Sequence, residues 1–387
     1  MLVSKQFDEF MRMVGQGRIT PERLQIFMDH PDGRIIDGDA EERMLIERLP
    51  DNSIADSLKW FDGKLCYNVM VGEKSYRLRC PEGWVSPPLA QIHVVGRDKR
   101  GELVYVGRTP DGMWRSVNTK APSTLQMNVM KDVADIWSVS YVNDKVLACL
   151  KREEGSSYVM YGDKMFVPYR TVRDPRISEG KIVYAAEKGG EWFVCVDGEL
   201  VGDPKDGIWE PQLDRGQIVY AARTRGNGMA VFRGKEMIGR EFDECYDLQV
   251  VNGKVLFRAR SASCLLVVFE GEEYRTGEEY SSTREASPQL VDRRLLYKIR
   301  QANGNACMVW GRTPYDTHHY DDITAYGVVD AKVWCIGKKD GRSAFAYDQV
   351  EYGGYFDQVI HSDIYNGFLT IIARCEKNIW RFRYKLS

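Results

Sequence analysis

Gly180 to Ala186 read GKIVYAA, and the same pattern returns as GQIVYAA from Gly216 and as GKVLFRA from Gly253. Residues equivalent to Gly180 recur along most of the chain at intervals of 36 to 43 residues. The nine equivalent positions, called anchors below, are Gly63, Gly101, Asp144, Gly180, Gly216, Gly253, Arg293, Ala331 and Gly367. Four residues after the anchor, six of the nine copies carry an aromatic residue, which indicates a repeat array.

Each copy reads as four short β-strands joined by turns. After Gly180, an apolar run leads to the turn Lys188-Gly189-Gly190, and a second apolar run leads to the hairpin sequence Asp197-Gly198. A repeated meander of this kind is typical of β-propeller blades, whose two faces are both covered by neighbouring blades. An open β-solenoid is the alternative, but its coils are usually shorter and it needs distinct caps at both ends.

The repeat predicts an all-β fold, a closed β-propeller of about seven to nine four-stranded blades over residues 51–387. The ninth copy, from Gly367, supplies only two strands before the chain stops. Ring closure then requires a strand from the N-terminal part, for which Gly33 to Asp37 is the candidate. The copies at Gly101 and Asp144 are the most degenerate and are expected to be irregular, so seven or eight blades stay open.

Residues 1–50 lack the repeat and are expected to form a short N-terminal helical segment. The first helix is predicted after Ser4 and the second after Thr20, which precedes a proline. A third helix is expected to run as far as Leu49, because Asp39 with Glu42 resembles a capping box. The segment either caps the propeller or contacts a partner, and both interpretations stay open.

Bulk properties exclude several functional classes. The net charge of −2 gives no global field for nucleic acid, and no apolar run approaches the roughly 18 residues of a membrane span. The start, MLVSKQFDEF, lacks the apolar region of a secretory signal, so a cytoplasmic location is expected. The nine cysteines are single and form no CxxC pairs, which argues against zinc-finger and thioredoxin sites and for buried reduced thiols.

No phosphate-binding loop and no HExxH or GxSxG motif occurs, so neither a cofactor nor a metal is expected. The densest group of ionisable residues is His318 to Asp322. There Tyr320-Asp321 occupies a recurrent aromatic-Asp position of the repeat, which favours packing between blades and capping of a turn over a catalytic role. His318 and His319 lie outside that pattern and keep a smaller functional weight.

The stretch from Gly189 to Ala222, GGEWFVCVDGELVGDPKDGIWEPQLDRGQIVYAA, resembles the repeats of bacterial TolB-like and WD-repeat-like propellers. The shared features are the hairpin at Val196 to Glu199 and the acidic segments at Phe242-Asp243 and Phe356-Asp357. The chain departs from those families at the S-P-D-G turn. The resemblance extends over residues 60–387 and implies a binding platform without assigning an activity.

The run before each anchor is predicted to be the innermost strand of a blade, bordering the channel, and it carries two rows of polar residues. Four residues before the anchor, or at the shifted match His93, stand the candidate ligand-binding residues Lys59, His93, Arg176, Gln212, Gln249, Gln289 and Asp363. Six residues before the anchor stand the candidate catalytic residues Asp174, Glu210, Asp247 and His361.

Two functions follow from these rows. The first is a non-enzymatic binding or scaffold protein that holds a protein or a small ligand on its face or in its channel, with no nucleic-acid or membrane partner. The alternative is a hydrolase or lyase acting on a glycan or peptide, which would use a pair of inner-strand carboxylates about 5–10 Å apart. A third interpretation gives the polar side chains a structural role, in which they satisfy backbone groups and water in the channel.

Overall fold

The computed structural model describes residues 40, 42–61, 64–97, 103–118, 128–130, 132–224, 226–262, 264–278, 287–301 and 304–386. Within these residues the strands form nine antiparallel sheets of four strands each, the blades of a β-propeller. The helical element in the described residues is a 3-10 turn, Ala55–Ser57. The described part has no helix that is both long and apolar enough to cross a membrane.

Blades are numbered along the chain, and strands are given from the channel outward. Blades 1 to 3 consist of β2 (Lys59–Phe61), β3 (Lys64–Gly72), β4 (Ser75–Cys80) and β5 (Gly83–Trp84); β6 (Gln91–Arg97), β7 (Leu103–Arg108), β8 (Trp114–Asn118) and β9 (Asn128–Met130); and β10 (Val133–Val142), β11 (Lys145–Arg152), β12 (Ser157–Tyr161) and β13 (Lys164–Met165). Blades 4 to 6 consist of β14 (Thr171–Ser178), β15 (Lys181–Lys188), β16 (Glu191–Val196) and β17 (Glu199–Lys205); β18 (Ile208–Asp214), β19 (Gln217–Arg223), β20 (Met229–Arg233) and β21 (Glu236–Phe242); and β22 (Glu244–Val251), β23 (Lys254–Ser261), β24 (Cys264–Phe269) and β25 (Glu272–Glu278). Blades 7 to 9 consist of β26 (Gln289–Val291), β27 (Arg294–Arg300), β28 (Ala306–Trp310) and β29 (Thr313–Tyr320); β30 (Asp322–Val329), β31 (Lys332–Lys339), β32 (Arg342–Tyr347) and β33 (Val350–Phe356); and β34 (Gln358–Tyr365), β35 (Phe368–Cys375), β36 (Asn378–Lys385) and β1 (Glu42–Arg48).

Strand β1 closes the ring by pairing antiparallel with β36, the last strand of the chain. Closure by both ends of the repeat is therefore confirmed, but the third predicted helix is wrong, because this segment is a strand. The ring thus begins at Glu42 and not at residue 51. Pairing with β36 outweighs the local helix-capping pattern, because without β1 the strand β36 would present an unpaired sheet edge. Gly33 to Asp37 and the first two predicted helices lie outside the described residues.

The anchor copies expected to be irregular both form complete blades. The copy at Gly101 belongs to blade 2 and the copy at Asp144 to blade 3, and each is a four-stranded sheet. The uncertainty of seven to nine blades is thereby resolved at nine over the described residues.

The anchor glycines among the described residues, Gly180, Gly216, Gly253 and Gly367, form the turn between the first and second strands of a blade. Glu179 and Gly180 have φ angles of 50° and 75°, and Arg215 and Gly216 have 51° and 78°. Two successive left-handed residues define a type I′ turn, the two-residue turn that matches the twist of a hairpin and favours glycine at its second position. The Glu179 carboxylate also accepts the backbone N–H groups of Arg215 and Gly216, so the turn of blade 4 contacts the turn of blade 5.

The residue four positions after each anchor is buried between blades. Tyr184 and Phe257 are fully buried, and the non-aromatic substitutes Ala148, Cys335 and Ile371 are buried as well. Each of the aromatic residues in this position packs against the preceding blade, as Tyr184 does against Leu147, Cys149 and Val159 of blade 3. The apolar strands of the repeat therefore form a series of cores between blades, and none of the nine cysteines forms a disulfide; seven of them are buried.

Candidate binding site on the channel wall

Four consecutive blades carry the same irregularity in their innermost strand. The pairing register shifts in β10, β14, β18 and β22, and one residue at each shift adopts a left-handed backbone. These residues are Ser138, Asp174, Glu210 and Asp247, with φ angles of 52°, 52°, 49° and 56°. A bulge of this kind changes the direction of the side chain. The row of polar residues six positions before the anchor is thus a row of bulges in blades 3 to 6.

The carboxylates in this row bind neighbouring structure. The Asp174 carboxylate accepts the backbone N–H of Glu210 at 3.0 Å, and the Glu210 carboxylate accepts the N–H of Leu248 at 2.6 Å. Asp247 forms an ion pair with Arg258 of its own blade. The candidate catalytic carboxylates are therefore in three successive blades, and each one has a structural partner.

Burial raises the pKa of the Glu210 carboxyl above its usual value. The hydrogen bond from Leu248 and the guanidinium of Arg176 oppose this shift, while the carboxylates of Asp247 and Asp174 add to it. The three acidic groups thus influence one another electrostatically. The fourth candidate catalytic residue, His361, lies on β34 in blade 9, and blades 7 and 8 intervene between it and Asp247.

The amides in the second polar row connect successive blades. The Gln212 side chain donates to the carbonyl of Leu248 at 3.1 Å and accepts the N–H of Val250 at 3.2 Å. Gln249 and Gln289 each donate to a carbonyl of the following blade, that of Pro288 at 3.2 Å and that of Tyr326 at 2.8 Å. Arg176 donates to the Leu248 carbonyl at 3.4 Å. From blade 4 to blade 8, this row therefore serves as a set of cross-links.

Lys59 and His93, from the same predicted row, line a cavity of about 270 Å³ in the first three blades. The complete lining consists of Ser57, Lys59, Asn68, Ile92, His93 and Val139. Lys59 is exposed, and within the described part of the chain its ammonium group has neither a hydrogen bond nor an ion pair. Two of the predicted ligand-binding residues thus line one cavity, and the remaining five lie elsewhere on the ring.

The polar groups that line this cavity differ in whether they have hydrogen-bond partners. The Ser57 hydroxyl donates to the Ile54 carbonyl at 2.6 Å and accepts the backbone N–H of Asn68 at 2.8 Å. The side-chain Oδ1 of Asn68, in contrast, is buried and has no hydrogen-bond partner in the described structure. Sequence reasoning missed Asn68, because it lies on the second strand of blade 1, outside the two polar rows.

The position of His93 is fixed by its neighbours. Its ring stacks on Trp114, with centroids 5.8 Å apart and an interplanar angle of 23°, and Trp114 is fully buried. The Gln91 amide lies 3.0 Å from His93 Nε2. Burial lowers the pKa of His93, and the Asp135 carboxylate opposes this shift. A neutral imidazole that accepts on Nε2 carries its proton on Nδ1 and can donate it.

The last two candidates lie in blade 9. His361 stacks on Trp60, the residue after Lys59, with centroids 6.2 Å apart. Burial lowers the pKa of His361, and the neighbouring carboxylate of Asp363 opposes this shift. Asp363 itself is exposed. These two residues are therefore near blade 1 but are not part of the cavity lining.

Within the cluster at His318 to Asp322, Tyr320 and Asp321 make packing and turn-capping contacts. Tyr320 is buried in the core between blades 7 and 8 and donates to the Glu351 carboxylate at 2.6 Å. The Asp321 carboxylate accepts the N–H of Asp340, in the turn after β31, at 2.8 Å. The side chains of His318 and His319 lie outside the described structure. Among the described residues, no group of three or more His, Cys, Asp or Glu is arranged to hold a metal.

A stacked arginine is a second feature that the sequence did not reveal. The Arg173 guanidinium lies between the rings of Trp192 and Trp209, 3.8 and 4.1 Å from their centroids. Its Nε donates to the Ile208 carbonyl at 2.7 Å, and burial lowers the pKa of Arg173 to about 10. This stack joins blades 4 and 5 and is a packing feature.

No family model and no curated protein matches the chain. Among solved structures, it is similar to BamB from Moraxella catarrhalis, with 10% identity over 90% of this chain and 100% of that one and a TM-score of 0.42. It is also similar to KlHsv2 with loop 6CD replaced by a Gly-Ser linker (8% identity, 73% and 95% covered, TM-score 0.32) and to Kluyvelomyces marxianus Hsv2 (9%, 67% and 92%, 0.31). The fold assignment rests on the strand pairing described above.

Proposed function

We propose that the protein is a non-enzymatic binding protein whose ligand occupies the cavity lined by Lys59, His93 and Asn68. The observation that carries this proposal is the difference in pairing along the channel wall. The inner-strand amides of blades 5 to 7 bond to the next blade, whereas the Lys59 ammonium and the Asn68 Oδ1 have no partner in the described structure. Few, convergent polar groups beside apolar side chains are typical of ligand sites.

The size and lining of the cavity suit a small ligand or a short peptide segment. A volume of about 270 Å³ lies close to the lower end of the roughly 300–1,000 Å³ found for small-molecule sites. Ile92 and Val139 supply apolar contact area, and the stacking of His93 on buried Trp114 holds one polar group in place. Such preorganisation lowers the entropy cost of binding.

The hydrolase or lyase alternative has less support. A catalytic carboxylate pair needs one group free to exchange a proton with substrate. Asp174 and Glu210 each accept a backbone N–H from the next blade, and Asp247 is ion-paired with Arg258. His361 is not in the neighbouring blades. The observations therefore favour binding over chemistry at this row.

Two further proposals belong with this function. The resemblance of the repeat to TolB-like and WD-repeat-like propellers is consistent with a binding platform, and membership of such a family is part of the proposal. Nine cysteines without a disulfide fit a reducing compartment, which supports a cytoplasmic location.

The test is retention of a ligand from a complex mixture. Purified protein is incubated with the small-molecule and peptide fraction of a cell extract, re-isolated by gel filtration and analysed by mass spectrometry. We expect wild type to retain a compound that Val139→Trp, which fills the cavity, does not retain. Val350→Trp, on the outermost strand of blade 8 where Val350 is 47% exposed, is the matched control and should retain it. Equal retention by both tryptophan variants would overturn the proposal.

A further inference from the structure

The cavity of blades 1 to 3 has a definite chemical preference, and this inference rests on the proposed function. Lys59 is the only residue with a permanent charge among the six that line it. Its partners in the lining are a serine, an asparagine, a histidine whose pKa burial lowers, and two aliphatic residues. A ligand with an anionic group therefore gains Coulomb attraction at this wall and meets no carboxylate among the lining residues.

The second polar feature is an acceptor. The Asn68 Oδ1 is buried without a hydrogen-bond partner in the described structure. A buried acceptor left unpaired is unfavourable, so a ligand that offers an N–H or O–H to it gains affinity. The backbone N–H of Asn68 is already bonded to Ser57 Oγ, which holds this residue in position.

These two groups are near each other on one face of blade 1. Lys59 on β2 is directly opposite Cys66 on β3, and Asn68 follows Cys66 by two residues. Residues opposite each other on paired strands, and residues two apart on one strand, have their side chains on the same face of the sheet. The ammonium donor and the amide acceptor therefore both face the space between blades 1 and 2.

We infer that the ligand carries a carboxylate next to a hydrogen-bond donor, with an apolar remainder that contacts Ile92 and Val139. The carboxylate binds the Lys59 ammonium and the donor binds the Asn68 Oδ1. A free 2-hydroxy or 2-amino acid has this chemistry, and so does the C-terminal residue of a peptide, whose last amide N–H lies next to the carboxylate.

The inference is tested with matched probes and variants by ligand-observed NMR. Mandelate has both groups, phenylacetate lacks the hydroxyl, and mandelamide lacks the charge. Because loss of a charge-assisted hydrogen bond typically costs about tenfold in affinity, we expect mandelamide to bind about ten times more weakly than mandelate. Phenylacetate should bind several times more weakly than mandelate.

Two substitutions separate the two groups. Lys59→Met should weaken mandelate binding about tenfold and leave mandelamide nearly unchanged. Asn68→Leu should reduce mandelate to the affinity of phenylacetate. Lys181→Met, at an exposed lysine on the second strand of blade 4, is the matched control and should bind all probes as wild type does.

A further titration compares glycyl-phenylalanine with its C-terminal amide and so shows whether the carboxylate belongs to a peptide terminus or to a free acid. Tighter binding of the dipeptide than of mandelate supports the inference with a chain terminus as ligand, and the reverse order supports it with a free acid. Equal affinity of mandelate and mandelamide, or no effect of Lys59→Met, would overturn it. If Val139→Trp still loses the retained compound in that case, the binding function stands and only the ligand class is wrong.

Discussion

The channel walls of blades 4 to 6 and of blade 1 come from the same repeat but use their polar residues differently. In blades 4 to 6 the innermost strand is seven or eight residues long, contains a left-handed bulge, and bonds through its side chains to the next blade. In blade 1 the innermost strand, Lys59–Phe61, has three residues. Its pairing with β3 shows no register shift.

This difference explains why the charged group of the cavity comes from blade 1, whereas blade 3, which has a bulge at Ser138, contributes the apolar Val139. In blades 4 to 6 the polar side chains at and two residues after the bulge bond to neighbouring structure, so this wall fills its own hydrogen-bonding capacity. Without that bulge, Lys59 is left with its ammonium group exposed. The role of a polar residue in the innermost strand is therefore decided by the local backbone and not by the residue type at that repeat position.

The largest effect is expected from removing a hydrogen-bonded cross-link in the channel wall of blades 4 to 6. Gln212→Ala removes the buried Gln212 bonds to the Leu248 carbonyl and the Val250 N–H, and leaves the carbonyl with only the longer 3.4 Å bond from the Arg176 side chain. We expect a loss of about 2–3 kcal/mol in the free energy of unfolding, measured from urea midpoints. Lys59→Met, at an exposed residue, should change it by less than about 0.5 kcal/mol. A similar loss in both variants would show that the two walls do not differ.

A smaller effect is expected at the stack between blades 4 and 5. Arg173→Met removes a guanidinium held between two indole rings and its hydrogen bond to Ile208, for an expected loss of about 1–2 kcal/mol. Arg223→Met is the control, since Arg223 is exposed and 6.0 Å from the Trp209 ring. An equal shift of the thermal midpoint in the two variants would contradict the buried role of Arg173.

The sequence predicted the blades and the innermost strands well, because both follow from the period of the anchors and of the apolar runs. It failed at β1, where a local capping pattern suggested a helix. The decisive partner of β1, Asn378–Lys385, lies more than 300 residues away and is invisible to local propensity. Similarly, the role of Gln212 depends on backbone groups of the next blade. The role of Asn68 depends on the lack of a hydrogen-bond donor beside its Oδ1 in the described structure. Neither is a property of the residue type.

The anchor turns give a stabilising prediction. Ala331 occupies a left-handed position, with φ of 57°, where six of the nine copies of the repeat carry glycine. Ala331→Gly should raise the free energy of unfolding by about 0.5–1 kcal/mol, because the left-handed conformation costs a residue with a Cβ about 1–2 kcal/mol. Gly180→Ala is the opposite experiment. A Cβ at Gly180 would contact nothing within 4 Å, so its expected loss of about 1 kcal/mol is conformational.

The channel wall of blades 4 to 6 should also make the free energy of unfolding depend on pH. Because burial raises the pKa of Glu210 in the folded state, the folded protein binds more protons than the unfolded chain between the ordinary and the raised value. Stability from this group is therefore present below the ordinary pKa of 4.5 and is lost as pH rises through the raised value. Glu210→Gln should remove that part of the slope in urea midpoints measured from pH 4 upward. An unchanged slope would contradict the buried, structural role of this carboxylate.

The most direct measurement compares mandelate affinity and urea midpoint on the same three proteins, wild type, Lys59→Met and Gln212→Ala. We expect the two variants to lose different properties. Lys59→Met should bind mandelate about ten times more weakly with an unchanged midpoint, and Gln212→Ala should unfold at lower urea with unchanged affinity while folded. A Gln212→Ala protein that loses mandelate binding under conditions where it is folded, beside a Lys59→Met protein that keeps it, would contradict the account.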